Sequence, residues 1–453
     1  MKHPFQKIAL NKKGDLFFAA SGNSLFAYQL SEGKPTLVGS WTDELDADYK
    51  VLKAYKAQLA LMQQQAEEKK QQSTEESAND DSGEPAKKIQ KTQKAKKLPK
   101  MPKAGPGAPP TFTYIRDVKL SRKEDHLIIT TDNDKAVVVF ELDFANASEG
   151  KLLKFIKRQP FPKRPSCVVT SLDDTEIFLS DKFGDVYKIS LLDTKIYKED
   201  ELEPILGHVS MLTCIDSVKD SEGKEYIVTS DRDEHLRITN YPLTHIVKKW
   251  LFGHEEFISG FVLPHWLDNK VIVSAGGDPF LCNWKWEEYD VQNSNNTLQK
   301  VDFSKLVEPY ITDKHLAPSR FQNETNDLKE FSVSNIVASE TLKRIVVVVE
   351  RTPVLFLFKF KEDGTLEFDK KYETKADIVS VASSDNDKLI VSIDDREQQL
   401  EIFTIKGEGE LVKEANEPEV ISEINRLNTS VVDSPEDVVP LFMIWYLRKR
   451  SEH

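Results

Sequence analysis

Ile205-Leu206-Gly207-His208-Val209-Ser210-Met211-Leu212-Thr213, followed by Tyr226-Ile227-Val228-Thr229-Ser230-Asp231-Arg232-Asp233-Glu234-His235-Leu236-Arg237-Ile238, joins a Gly-His pair to a Ser-Asp turn between two β-prone runs. In a WD-type repeat the imidazole, a strand hydroxyl, a turn aspartate and sometimes a tryptophan bond to one another, which satisfies buried polar groups and fixes the turn. The next unit repeats the plan: Gly253-His254 is followed by Val271-Ile272-Val273-Ser274-Ala275-Gly276-Gly277-Asp278 and by Trp284. His208 with Asp233, and His254 with Ser274 and Asp278, are therefore expected to hold their blades together rather than to act chemically.

Upstream, 118–140 and 166–189 have the same rhythm of strand, turn and strand. Aligned on their central turns, the four units place Asp134, Phe183, Asp233 and Asp278 in register, about 49, 50 and 45 residues apart. That period belongs to propellers in which each repeat makes one four-stranded blade. Two weaker units follow at 334–358 and 378–404, and an N-terminal meander runs from Phe5 to Trp41. The expected fold is all-β, a seven-bladed WD-repeat β-propeller with a disordered charged insertion. Its parts are a first blade at 1–42, the insertion at 43–108, the remaining blades at 109–407 with a long excursion at 294–328, and a C-terminal extension at 408–453.

Within the insertion, 44–70 could form an amphipathic helix, Gln71 to Glu84 is polar and acidic, and Lys87 to Lys100 is lysine-rich without an acid. Such a stretch buries too little apolar surface to offset chain entropy. Its single-signed lysine cluster suggests a nuclear import signal or a nucleic-acid tail, against the alternative of a solvated linker. The whole chain of 453 residues carries a net charge of -13, which argues against holding nucleic acid by a general cationic surface. Cys167, Cys214 and Cys282 are far apart and lack zinc spacing, so free thiols are expected. The N-terminus has no apolar leader and the sequence no long apolar run, which suggests a soluble intracellular protein.

No phosphate loop, nucleophile elbow, dinucleotide fingerprint or zincin motif is present. What exceeds the needs of the fold is charge. Asp231, Arg232 and Glu234 crowd one turn and Arg237 follows in the next strand, where exposed charges could meet a partner. A second surplus, Lys151, Lys154, Lys157, Arg158, Lys163 and Arg164, could face RNA phosphates beside Lys182, or could be an ordinary solvated loop.

Several segments go beyond the general repeat: Lys163-Arg164-Pro165, Asp181-Lys182-Phe183-Gly184-Asp185-Val186-Tyr187, the opening stretch, and His315-Leu316-Ala317-Pro318 with Arg320-Phe321-Gln322-Asn323. They resemble the non-catalytic WD-repeat subunit of the eukaryotic tRNA (guanine-N7)-methyltransferase in its fungal form. The likeness covers most of 110–330 and returns weakly at Leu447-Arg448-Lys449. It implies a scaffold that binds and stabilises a separate Rossmann-type catalytic subunit using S-adenosylmethionine, which forms N7-methylguanosine in the tRNA variable loop. This chain would then be no enzyme, would bind no cofactor itself, would meet tRNA mainly through its partner and would reside in the nucleus. The family's basic contact carries over to Arg237, with Lys182, Asp231 and Arg232 on matching positions nearby, and Glu234 joins them as a partner-facing candidate by its surplus charge. The competing expectation is a general nuclear adaptor in chromatin or ribosome assembly.

Overall fold

In the computed structural model, seven four-stranded antiparallel sheets follow one another along the chain. The structure describes residues 2–31, 34–43, 62, 114–132, 134–322, 325, 327–407, 410–413, 417–431 and 442–450. Apart from Asp43 and Met62, the expected insertion with its lysine run lies outside them. Blades 1 to 7 run from Lys7 to Thr42, Ile115 to Pro160, Pro165 to Gly207, Leu212 to Leu251, Ile258 to Asp302, Val333 to Glu373 and Ile378 to Lys413. The first strands of successive blades touch around the ring, which sets them at the axis. Within each blade we call the strands a to d from the axis outward.

Strand periodicity divides each blade's side chains between its two neighbours. In strand b of blade 1, Phe17 and Ala19 face blade 7, whereas Leu16, Phe18 and Ala20 face blade 2. Strands covered on both faces lose polar alternation. Strand b of blade 6, Arg344–Val349, is accordingly valine-rich and buried in all but its first residue. Outer strands keep a wet face, as in Lys34–Thr42. Seven apolar clusters result, one at each junction between neighbouring blades.

Two expected boundaries move. The excursion placed at 294–328 begins after Asp302, because Leu298–Asp302 pairs with Phe280–Trp284 as strand d of blade 5. The C-terminal extension likewise begins after Lys413, because Glu410–Lys413 completes blade 7. Outer strands carry weak signals since their hydrophobic content is low.

Every blade is made of consecutive strands, so among the described residues no strand of one end joins a blade of the other, and only the single bridge Lys2–Val431 pairs the two. The seam between blades 7 and 1 is closed by other means. Ser392 Oγ donates to Phe5 O at 2.7 Å, the Ile8 amide donates to Ser380 Oγ at 3.3 Å, and the His3 amide donates to Ser430 O at 3.1 Å. His3 O accepts from Gln399 and from Asn428 at 2.5 and 3.1 Å. The helix Glu417–Leu427 sets Val420, Ile421 and Ile424 into the cluster shared by blades 1 and 7.

Burial holds the His3 imidazole neutral: its pKa falls to about 4, with desolvation the main cause. Between the usual value of 6.5 and about 4 the unfolded chain binds the extra proton, so stability rises with pH across that window and is complete above it. Acidification to pH 4 should cost on the order of 3 kcal/mol at this residue. His3→Gln should flatten the pH dependence of the urea-unfolding free energy between pH 4 and 6.5; an unchanged slope would refute the assignment.

Candidate partner interface

The b–c turns and the d–a connections lie on one face of the ring. At or just past the end of strand b, blades 2 to 6 each bury an acid: Asp132, Asp181, Asp231, Asp278 and Glu350. In blade 5, Asp278 accepts from His254 Nδ1 at 2.7 Å and from the Glu255 amide at 3.0 Å. His254 Nε2 meets Ser274 Oγ at 2.7 Å, and Trp284 Nε1 donates to the same oxygen at 2.8 Å. Indole is only a donor, so Ser274 Oγ accepts from Trp284 and is free to donate its O–H to Nε2, which leaves Nδ1–H to donate to Asp278. This is the network expected of His254, Ser274 and Asp278.

Blade 4 corrects the expected pairing. His208 Nδ1 bonds Asp231 at 2.8 Å and Nε2 bonds Thr229 at 2.8 Å, so Asp231, not Asp233, completes the blade. The turn of blade 5 is longer by two residues, because Gly276-Gly277 adds two positions between Ser274 and Asp278 that blade 4 lacks between Thr229 and Asp231. Asp231 is 2 % exposed and also accepts from the amides of Asp233 and His235. Its expected place on an exposed rim is therefore overturned. Asp233 instead accepts from Ser210 and pairs with Lys449 at 2.5 Å, and Arg232 Nε donates to Leu447 O at 2.7 Å. One surplus charge, Arg232, and the displaced Asp233 are thus met by the chain's own C-terminal segment.

Arg237 is 6 % exposed, where the sequence suggested a free contact. Its guanidinium donates to Gly207 O at 2.9 Å and to Thr239 at 3.1 Å, and lies 5.3 Å from the centre of the Trp250 ring. Burial pushes its pKa down. Glu234 stays exposed at a positive φ of 72°.

The basic stretch is not a patch. Residues 153–160 form strand d of blade 2, whose alternation sends Lys157 inward to Ser190 O and Asp193. Arg158 grips Asp43 with two nitrogens at 3.0 and 2.8 Å and also pairs with Asp134. Arg164 pairs with Asp132, while Lys151 and Lys154 meet Glu149 and Glu141. Arg158 thus anchors the point where the chain leaves blade 1 for the insertion.

What remains exposed centres on Phe183. Gly184 adopts φ +103°, and a Cβ there would come within 2.4 Å of His208 O, so only glycine lets this turn close on the 208–211 connection. Phe183, 55 % exposed, and Val209, wholly exposed, therefore sit on adjoining loops. Lys163 Nζ and Lys182 Nζ lie 4.4 and 5.5 Å from the Phe183 ring centre. Neither forms an ion pair among the described residues. Burial, followed by the Arg164 charge, pushes the Lys182 ammonium down. Farther out on blade 4, Trp250 stacks on Phe252 at 6.3 Å and His235 packs edge-on against both, above Arg237. Exposed aromatics beside cations are the usual material of interface anchors. Sequence reasoning missed Val209, Trp250 and Phe252; an indole in outer strand Val247–Leu251 was the available signal.

Asp231→Ala should lower the urea-unfolding free energy by about 2–4 kcal/mol by stranding His208 and two amides. Asp233→Ala should cost less than about 1 kcal/mol. Equal losses would restore Asp233 to the blade network.

The family described as tRNA methyltransferase TRM82 WD40 domain matches residues 17–203 and 197–413. A tRNA (guanine-N(7)-)-methyltransferase non-catalytic subunit TRM82 from Kluyveromyces lactis is 39% identical, with all of both chains covered. The protein of that name from Debaryomyces hansenii is 37% identical over all of both chains. That from Saccharomyces cerevisiae strain RM11-1a is 34% identical over 100% of this chain and 99% of its own. Among solved structures, a chain of the mitotic checkpoint complex superposes with a TM-score of 0.54 at 10% identity, covering 90% of this chain and 93% of that one. U3-55K superposes at 0.53 and 12% identity, covering 87% and 89%. At such identities these structures share the fold alone.

Proposed function

Because the chain belongs to the TRM82 family of non-catalytic subunits of tRNA (guanine-N7)-methyltransferase, we propose that it binds and stabilises a separate catalytic subunit through the Phe183 face. The observation carrying this reading is the set of exposed residues Lys163, Lys182, Phe183, Val209 and Phe252 on one face, with the half-buried Trp250 stacked on Phe252 and packed against His208. It offers apolar anchors set among cations, and suits a partner surface with an apolar recess rimmed by carboxylates. Arg237 serves that surface from below, holding Trp250 in place. S-adenosylmethionine belongs to the partner, which methylates the guanine of the tRNA variable loop, and tRNA reaches this chain mainly through that partner. The pairing of five of the six proposed RNA-facing cations with acids or backbone within the chain favours this division of labour; Lys163 alone is left in this set.

Lys182→Glu combined with Phe183→Ala should reduce copurification of the catalytic subunit at least tenfold at unchanged thermal stability. Undiminished recovery would move the interface elsewhere. Arg237→Glu as a comparison separates the two ends of this set: loss of partner there alone, in a folded chain, would centre docking on Trp250. Copurification of a large mixed assembly instead of one methyltransferase would favour the general adaptor.

Nuclear residence completes the proposal and rests on Lys87–Lys100. Deleting 87–100 should shift a fluorescently tagged chain to the cytoplasm; continued nuclear accumulation would refute the import role.

A further inference from the structure

Residues 442–450 return to the b–c face after the ring is closed and cross blades 6, 5 and 4. We infer that this face carries a peptide-docking groove selective for an aromatic-basic segment, occupied in cis by the chain's own Trp445-Tyr446-Leu447-Arg448-Lys449-Arg450.

The groove has an acidic floor spread over four separate pieces of backbone: Asp233 in blade 4, Glu256 before blade 5, Glu330 in the 303–332 connection and Glu350 in blade 6. The segment meets each one. Glu350, 4 % exposed, accepts from the amides of Ile444 and Trp445 at 2.9 and 3.2 Å on one oxygen. Arg448 pairs with Glu256 at 2.6 Å and donates to Gly277 O and Phe331 O at 2.6 and 3.0 Å. Lys449 pairs with Asp233, and Arg450 with Glu330. Arg232 reads the backbone at Leu447 O, and the Leu447 side chain is buried.

Aromatic contacts add direction. Arg450 lies 5.5 Å from the Phe321 ring centre and 5.8 Å from that of Trp445, while Arg448 lies 5.8 Å from Phe257. These are cation–π distances, and partial burial strengthens such pairs. The segment lies on the groove without filling it, for a cavity of about 260 Å³ remains among Trp445, His315, Pro318 and Arg351. Every recognition contact is made by residues 444–450 themselves. Twelve residues, 432–443, separate them from Val431 in sequence, so the contacts do not depend on the covalent link being short. Such a tether raises the effective concentration of the segment at its own site. An outside segment must outcompete it and must bring the same order of features, an aromatic followed by clustered cations.

The test uses a fluorescent synthetic peptide of residues 442–450 and two full-length chains, the native one and one bearing Arg448→Glu with Lys449→Glu to disengage its own tail. The peptide should bind the charge-reversed chain at least tenfold more tightly than the native chain. Adding Glu330→Lys to the receptor should weaken that binding at least tenfold. Equal binding to both chains, or none to either, overturns the inference. Should the charge-reversed chain fail to fold, hydrogen exchange on the native chain decides: the Ile444 and Trp445 amides should exchange at least tenfold more slowly than in the free peptide, and equal rates would overturn it. A native chain that sediments as a dimer, with the charge-reversed chain a monomer, would overturn occupancy in cis in favour of a second copy.

Discussion

A carboxylate buried at the end of strand b must find donors, because leaving a buried charge unpaired costs several kcal/mol, a large share of a folded protein's net stability. Blades 2 to 6 meet this one demand in different ways. Asp132 takes Arg116 and Arg164. Asp181 takes the amides of its own turn, at Phe183 and Asp185. Asp231 and Asp278 take a histidine together with backbone amides. Glu350 takes amides from residues 444 and 445, almost a hundred positions away in sequence. The identity of the donor decides what each blade shows to solvent. Where histidine or a local turn suffices, neighbouring side chains such as Phe183 and Glu234 are released outward. Where the donor is a distant segment, the face is covered.

The same reasoning explains why the C-terminus is built into the ring twice. The helix Glu417–Leu427 and Asn428 supply apolar surface and a donor to the seam between blades 7 and 1, which lacks a shared sheet. Beyond Val431 the chain supplies donors to blade 6 and cations to blades 4 and 5. Blade 6 differs from its neighbours by one methylene in the buried acid and by the long 303–332 connection beside it. His315 of that connection is itself buried, and bonded to Glu350 O. Connection, acid and tail form one unit, and loss of any member leaves the other two with unpaired groups.

The ring could be read from sequence because its signal recurs: Gly-His, a hydroxyl on strand b and an aspartate in the turn, over strands whose apolar residues are dense enough to show. The rest was obscured for definite physical reasons. The two-residue register error at Asp233 arose where Gly276-Gly277 lengthens one turn, and a period of about 45–50 residues does not resolve such a step. Lys157 and Arg158 looked like surface cations because charge in sequence gives no hint of a strand's inward face. Asp193, Asp43 and Asp134 become visible as their partners only once blade 2 is folded. Arg237 stands out in the sequence as a charge the repeat does not need, while its burial under Trp250 depends on strand d, the element with the weakest pattern. The Phe183 turn was legible as a turn but not as an exposed anchor, since its exposure follows from Gly184 closing on the next loop.

An acidic protein can still present cations to a partner if its acids are used internally, and this face does so unevenly. Toward blades 2 and 3, Asp132 holds Arg116 and Arg164 inward while Lys163 and Lys182 remain outside around an exposed ring. Toward blades 4 to 6 the floor is acidic, and three cations of the tail neutralise it. The division falls at Asp231-Arg232-Asp233: the first residue faces into the blade, and the other two hold the tail. The boundary between the covered and the open half of the face is thus a single turn, and the open half is the one that ends in Phe183, Val209 and Trp250.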